Sequence, residues 1–331
     1  MLPYVFIILR VGARSAFYYF DMTEHIYYPS EDKKTTVHAC IWRPRGKATG
    51  VLQIIHGMAE YAERYARFAE FLAERGFLVC AEDHIGHGQS VISGEDLGYF
   101  ADGDATDIVL SDISRLTSIV KEQTGSLPYF VLGHSMGSFF CRCLIAKRGE
   151  DYDGAIIMGT GFQPPFVAGF AKFVARTVAL FKGWRHRSPL IDGLAFGSYN
   201  KKFQGRTPFD WLSADSDNVD RYIADELCGV MFTCSGFYTL FSVLKRACSD
   251  KTINAVPKDL PVFLVSGGDD PVGAYSAGVI KLYDKFNACG VSDVEMTIYN
   301  DCRHEILNDF CAPSVMEDIL SFMTGHICAS L

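Results

Sequence analysis

Gly133-His134-Ser135-Met136-Gly137 sets a serine between two glycines, at the junction of the apolar run Tyr129-Phe130-Val131-Leu132 and a helix-like segment. This G-x-S-x-G spacing is the pattern of a nucleophile elbow, a sharp strand-to-helix turn that exposes the hydroxyl and lies at a helix start rich in backbone N–H groups. A serine hydroxyl is a weak nucleophile until a base removes its proton, so the chain must also supply an imidazole and a carboxylate to orient it. Both occur later. Ser266-Gly267-Gly268-Asp269-Asp270-Pro271 puts two carboxylates after one apolar run, and Cys302-Arg303-His304-Glu305 puts a histidine after another; His326 is the competing base. Adjacent Asp269 and Asp270 cannot both face one imidazole, and spacing alone does not choose between them. Acyl transfer further needs N–H donors for the developing oxyanion. The expected pair is the amide of Met136, directly after the serine, and that of Met58 in His56-Gly57-Met58-Ala59, where Gly57 lets the backbone turn inward.

The elements that must position these groups follow an alternating pattern. Short apolar runs at 51–55, 77–81, 129–133, 154–158, 262–266 and 294–299 predict strands. Helical patterns lie between them: Tyr61, Tyr65, Phe68 and Leu72 before a C-capping Gly76, then segments within 104–121, at 136–147, 274–286 and 314–323. Two more strands are expected between His25 and Trp42. Strand-helix alternation predicts a mostly parallel sheet flanked by helices, here of eight strands. The rhythm breaks over residues 160–250, which open on Pro164-Pro165 and carry Phe166, Phe170, Phe173, Val174, Val178 and Phe181 at helical spacing. This stretch is expected to be a helical cap inserted after the sixth strand, with residues 22–159 and 251–331 as the core.

HGMAEYAERY (56–65), DHIGHGQS (83–90), GHSMGS (133–138), SGGDDPVG (266–273) and RHEILND (303–309) occur in this order. Together they resemble the monoacylglycerol lipase and lysophospholipase branch of the α/β-hydrolase superfamily over most of the chain from about Met22 to Met323. The resemblance implies Ser135 as nucleophile, Asp270 as the acid, His304 as the base, and Met58 and Met136 as oxyanion donors. It implies hydrolysis of carboxylic esters, of single-chain lipids or short acyl groups, through an acyl-enzyme. His56, Gly57, Phe162 and Phe166 are the expected substrate-binding residues. Tyr61 and Ser138 depart from the histidine and glycine common in that branch, and Ser138 adds a side chain where helix and strand approach. The same fold hosts peptidases, amidases, thioesterases and non-catalytic ligand-binding proteins, which are the alternative readings.

The remaining signals narrow the partners. With 49% hydrophobic residues over 331 positions the chain can bury a large core, and a formal charge of −8 argues against a nucleic-acid partner. No Walker A, strand-linked G-x-G-x-x-G or H-E-x-x-H occurs, so no cofactor is expected. His84 and His87 with Asp83 lack a fourth ligand, so no metal site is expected either. The 11 cysteines show no C-x-x-C pairs and read mostly as buried thiols of a cytoplasmic protein. Residues 162–187 hold five basic and no acidic residues among their phenylalanines. The favoured reading packs those rings against the core or the acyl pocket; the competing one lays the cap transiently on a membrane surface. Residues 1–21 read as a non-native or leader extension ahead of an ordinary start at Met22, with a short membrane-surface anchor as the alternative.

Overall fold

The computed structural model describes residues 23–203 and 205–328; the extension read at residues 1–21 lies outside the described residues. Eight strands form one sheet in the order β1-β2-β4-β3-β5-β6-β7-β8. They are β1 (Thr23–Pro29), β2 (Thr36–Trp42), β3 (Gly50–Ile55), β4 (Phe77–Glu82), β5 (Tyr129–His134), β6 (Gly154–Met158), β7 (Val262–Gly267) and β8 (Val294–Tyr299). The β1–β2 and β2–β4 pairs are antiparallel, and every pair from β4 through β8 is parallel. The helices are α1 (Ala66–Ala73), α2 (Thr106–Thr124), α3 (Met136–Arg148), α4 (Pro165–Lys182), α5 (Pro189–Phe196), α6 (Ser216–Ala224), α7 (Cys234–Ala247), α8 (Asp250–Ala255), α9 (Ala277–Ala288) and α10 (Ala312–Cys328). No described helix is long and apolar enough to cross a membrane.

The inner strands are continuous apolar runs because both of their faces are covered. Val51, Val131, Ile157 and Leu264 project into the core shared with α2, α3, α7 and α9. Their neighbours Leu52, Leu132, Ile156 and Phe263 project into the opposite core, shared with α1 and α10. The single polar residue of β3, Gln53, is fully buried; its Nε2 donates to the Ile113 carbonyl, and its Oε1 accepts from Thr117 and Tyr129, so α2 is hydrogen-bonded onto the sheet.

Three local expectations are corrected. The pattern from Tyr61 to Leu72 is not one helix but a 3₁₀ turn, Ala62–Tyr65, followed by α1, because the Ala62 N–H is taken by Asp83 and Glu60 is drawn inward. The helix expected from residue 274 begins at Ala277, after Ala274, Tyr275 and Ser276 pass through the left-handed region at φ 51, 55 and 73°. The phenylalanines of α4 do not pack inward. Ala168, Ala175 and Ala179 take the buried stripe, which lets α4 lie close on α7, while Phe166, Phe170, Phe173 and Phe181 share the opposite, exposed stripe. Cys302 and Cys311 form a disulfide across the loop that holds His304, a pairing their spacing does not signal.

Candidate active site

Ser135 sits between β5 and α3 with φ 53° and ψ −120°, a backbone that non-glycine residues adopt only when their surroundings impose it. Its N–H donates to the Met158 carbonyl at the end of β6 (3.0 Å), and its carbonyl accepts from the N–H (2.9 Å) and hydroxyl (2.5 Å) of Ser138. A β-carbon at Gly137 would lie 2.0 Å from the Ile55 carbonyl oxygen, and one at Gly133 would lie 2.4 Å from that of Gly137. Glycine at both flanks is thus a steric requirement of the turn. Ser138, the departure noted in the sequence, is buried, and its hydroxyl also meets that of Thr160 at 2.7 Å.

Asp270 follows β7 and His304 follows β8. Their side chains meet at 2.9 Å, His304 Nδ1 to Asp270 Oδ2, and both are buried. Asp270 Oδ1 accepts the Val272 N–H at 2.8 Å. Donation from Nδ1–H to the carboxylate leaves Nε2 as the acceptor nitrogen. Asp269 is exposed, so the choice that spacing left open is made by geometry. His326 lies elsewhere, on α10, with its Nε2 3.0 Å from Asp293. The His304 ring lies tilted, 4.8 Å from that of His134, the residue before Ser135, and 5.1 Å from that of Trp211. Gly159, at φ 56°, makes room for this: a β-carbon there would stand 3.2 Å from His304 Cε1.

The loop after β3 comes equally close. A β-carbon at Gly57 would be 3.0 Å from that of Ser135, which brings the Gly57-Met58 backbone beside the serine. Glu60 holds this loop in place: its buried carboxylate accepts the Gly57 N–H (2.6 Å), the Tyr65 hydroxyl (2.8 Å), His134 Nδ1 (2.9 Å) and Arg64 (3.1 Å). Arg64 in turn grips Glu305 through both guanidinium nitrogens at 2.6 and 2.9 Å, and Glu305 accepts from Asn218 at 2.8 Å. Burial pushes the Glu60 and Glu305 carboxyls up, but the charges of His134 and Arg64 on Glu60, and of Arg64 on Glu305, hold both below the usual carboxylate range. Burial likewise lowers His134, and Glu60 outweighs it, so the imidazole is raised.

His56 is fully buried, donates from Nδ1 to the Gly57 carbonyl and accepts the His84 N–H at Nε2; burial, with His84 beside it, lowers it to about 3 and keeps it neutral. His87 packs edge-on against Phe100 and Phe232. Phe162 is buried beneath Lys281 and Lys285, whereas Phe166 is 77% exposed on α4. Sequence reasoning missed the aromatic series Phe196, Tyr199 and Trp211, whose rings meet in turn at 5.5 and 5.1 Å and end on His304. Among the described residues, the groups able to converge on a metal ion lie away from this centre.

The Hydrolase_4 family model, serine aminopeptidase S33, matches residues 46–310. The chain is 26% identical over 299 residues to a monoacylglycerol lipase of Mycolicibacterium smegmatis, covering 87% of this chain and 92% of that protein. It is 27% identical over 293 residues to a monoglyceride lipase of Rattus norvegicus, covering 87% of each. A highly thermostable carboxyl esterase from Bacillus coagulans, solved with glycerol, superimposes with a TM-score of 0.86 at 29% identity over 92% of this chain and 99% of its own. A soluble variant of monoglyceride lipase from Saccharomyces cerevisiae shares the fold at a TM-score of 0.71 and 19% identity, over 93% and 99% of the two chains.

Removing one member of a buried ionic network leaves its partners desolvated and unpaired. Arg64→Met, which strands Glu60 and Glu305, is expected to cost about 3–5 kcal/mol of stability in urea unfolding. The pH dependence separates the Glu60–His134 contact. A lowered carboxyl stabilises above its unfolded value, and that stability is lost as pH falls through the folded one; a raised imidazole stabilises below its unfolded value and loses this as pH rises through the folded one. The stability advantage of wild type over Glu60→Gln is therefore greatest between the unfolded references of about 4.3 and 6.5. It shrinks on both sides, and a difference independent of pH would show that the contact is not ionic.

Proposed function

This chain belongs to the Hydrolase_4 (serine aminopeptidase S33) family and is a monoacylglycerol-lipase-like α/β-hydrolase, and on that basis we propose that it hydrolyses carboxylic esters of single-chain lipids, or short acyl esters, through an acyl-enzyme. The observation that supports the reading is the constrained Ser135 elbow together with the buried His304–Asp270 pair, the histidine ring lying 4.8 Å from that of the residue that precedes the serine.

In the proposed reaction His304 Nε2 takes the Ser135 proton as Oγ attacks the ester carbonyl. The Met58 and Met136 amides receive the oxyanion. His304 then protonates the leaving alcohol, and Asp270 keeps the imidazole in the tautomer that does both. Water, deprotonated by the same nitrogen, releases the acid. Residues 160–250 act as the cap, with Gly57 and Phe162 assigned to the substrate path and His56 to the support of the oxyanion loop, while the exposure of Phe166 on the outward stripe takes it out of that path. Trp211 and Tyr199 provide apolar surface beside the histidine. Peptide or amide hydrolysis is the second reading, favoured by the family description alone.

An activated fluorophosphonate is expected to label Ser135, and Ser135→Ala to lower kcat by at least about 10³-fold on p-nitrophenyl and monoacylglycerol esters. Asp270→Asn is expected to lower it by about 10³–10⁴-fold, since the imidazole is then held in the wrong tautomer. A folded protein that resists labelling would favour a ligand-binding role, and amine release from peptides with no dependence on ester chain length would favour a peptidase.

The outward stripe of α4 and the neighbouring Leu190 and Leu194 of α5, each 63–83% exposed for Phe166, Phe170, Phe173, Leu180, Phe181 and both leucines, supports transient contact of the cap with a membrane surface. Phe170→Ser with Phe181→Ser is expected to weaken sedimentation with anionic phospholipid vesicles more than about tenfold, given about 1.5–3 kcal/mol for each buried ring. Turnover of a water-soluble short ester should stay within about twofold, by the general smallness of remote surface effects. Unchanged sedimentation would remove the membrane contact.

A further inference from the structure

The β1–β2 pair brings together side chains that the catalytic reading does not use. In its antiparallel register His25 stands opposite Cys40, and His38 lies two residues before Cys40 on the same face of β2. His25 Nδ1 and His38 Nε2 are 2.8 Å apart, and Cys40 Sγ is 3.8 Å from each of these two nitrogens. We propose that His25, His38 and Cys40 are a binding site for one divalent cation of the zinc class, held by two imidazole nitrogens and a thiolate with water in the fourth position.

The donor set and its spacing carry this. A tetrahedral ion with bonds of about 2.0–2.1 Å to nitrogen and 2.3 Å to sulfur sets its ligands about 3.3–3.6 Å apart. The two sulfur–nitrogen separations are already close to that range, and the nitrogens need to part by about half an ångström by the same geometry. His25 has the freedom to do so: its side chain is 36% exposed, and its far nitrogen has Glu63 3.8 Å away, towards which it can retreat. His38 and Cys40 are buried, so two ligands are fixed and the third is adjustable.

The outer contacts are those of an oriented ligand set. His38 Nδ1 meets Asp83 Oδ2 at 2.8 Å, which fixes the proton on Nδ1 and turns the Nε2 lone pair towards His25 and Cys40. Asp83 is itself held by the N–H groups of Ala62 and Gln89, each at 2.8 Å, so it orients His38 and is not drawn off as a ligand. Glu63, 3.8 Å from His25 Nε2, would close to the corresponding contact as His25 shifts to admit the ion. Without an ion, a single proton bridges the two facing imidazole nitrogens. When the cation enters, that proton moves to His25 Nε2 facing Glu63, and the Cys40 thiol proton leaves to solvent, so one proton is released per ion bound. The fourth ligand would be water entering past the part-exposed His25 side chain. The site would fasten the edge strand β1 to β2 and, through Asp83, to the loop after β4.

The sequence reading excluded a metal because it weighed only His84 and His87 within one loop. His25 and Cys40 become neighbours only through strand register, which a histidine and an H-x-C pattern apart in sequence do not announce.

The test uses the full chain after chelator treatment, titrated with Co²⁺ and then Zn²⁺. One equivalent of Co²⁺ is expected to give a thiolate-to-cobalt charge-transfer band that Zn²⁺ displaces, and Zn²⁺ is expected to raise Tm. Cys40→Ser should abolish the band, and His25→Ala, a truncation at the exposed edge strand, should weaken binding more than tenfold. Glu63→Gln should weaken it about tenfold, the scale of an outer-shell loss. His326→Ala, which disrupts the other convergent group of Asp293, Glu295 and His326, should leave the band unchanged. Absence of a one-equivalent band in wild type, or a band that survives His25→Ala at full affinity, would overturn the proposal, as would loss of binding in His326→Ala alone.

Discussion

Everything at the candidate site hangs on a carboxylate that never meets solvent. Glu60 receives a backbone amide of the loop after β3, a tyrosine hydroxyl from the following turn, the imidazole that ends β5, and a guanidinium shared with the loop after β8. Those are the loops that carry Met58, Ser135 and His304. Desolvating a carboxylate is costly, and the cost is recovered only where every acceptor position is filled with good geometry. The network consequently exists in one arrangement or hardly at all, and that property is what positions three separate loops relative to one another. Stability from such a cluster is modest compared with an apolar replacement; its contribution is a unique geometry.

A second constraint acts on the backbone. The left-handed turn at Ser135 is unfavourable in isolation, and it is retained by the Met158 carbonyl on one side, the Ser138 hydroxyl on the other, and glycines at 133 and 137 where no β-carbon fits. Ser138 illustrates how the surroundings absorb a change of residue. A side chain on the third residue after Ser135 finds two hydroxyl-compatible acceptors, and the turn gains a hydrogen bond from what would otherwise be crowding.

The fold was legible because a strand covered on both faces must be apolar at every position, and the runs at 51–55, 129–133, 154–158 and 262–266 stand out against amphipathic helices. The nucleophile motif was legible for a related reason: the steric demands of a sharp turn leave a glycine signature. What was not legible depends on contacts between distant residues. Asp270 and Asp269 are adjacent in sequence and differ only in which one the fold buries. Arg64 and Glu305 are 241 positions apart, and no local pattern marks the charged grip between them. Trp211 reaches His304 from an irregular stretch of the segment after β6, where neither period 2 nor period 3.6 applies. The aromatic periodicity of α4 was visible, but periodicity defines stripes without saying which one faces inward; the alanines settled that.

That inversion has a physical consequence for the proposed chemistry. A helix normally buries its large apolar side chains, since each ring removed from water contributes about 1.5–3 kcal/mol. In α4 the small residues are buried and the rings are not, so the close approach of α4 to α7 is obtained by forgoing most of that stabilisation. The proposed membrane contact would give the exposed rings another apolar phase to enter. Single-chain lipid esters, the substrates proposed here, partition into bilayers and micelles, and an enzyme that takes them from such a surface gains from an apolar face next to its entrance. Lys172 and Arg185 are paired with Asp104 and Asp96, so the proposed attraction to anionic headgroups would rest on Arg176 and Lys182, in a chain whose net charge would otherwise oppose it. On the proposed reading, the buried charge cluster would hold the reacting groups rigidly while the exposed stripe would bring an insoluble substrate to them.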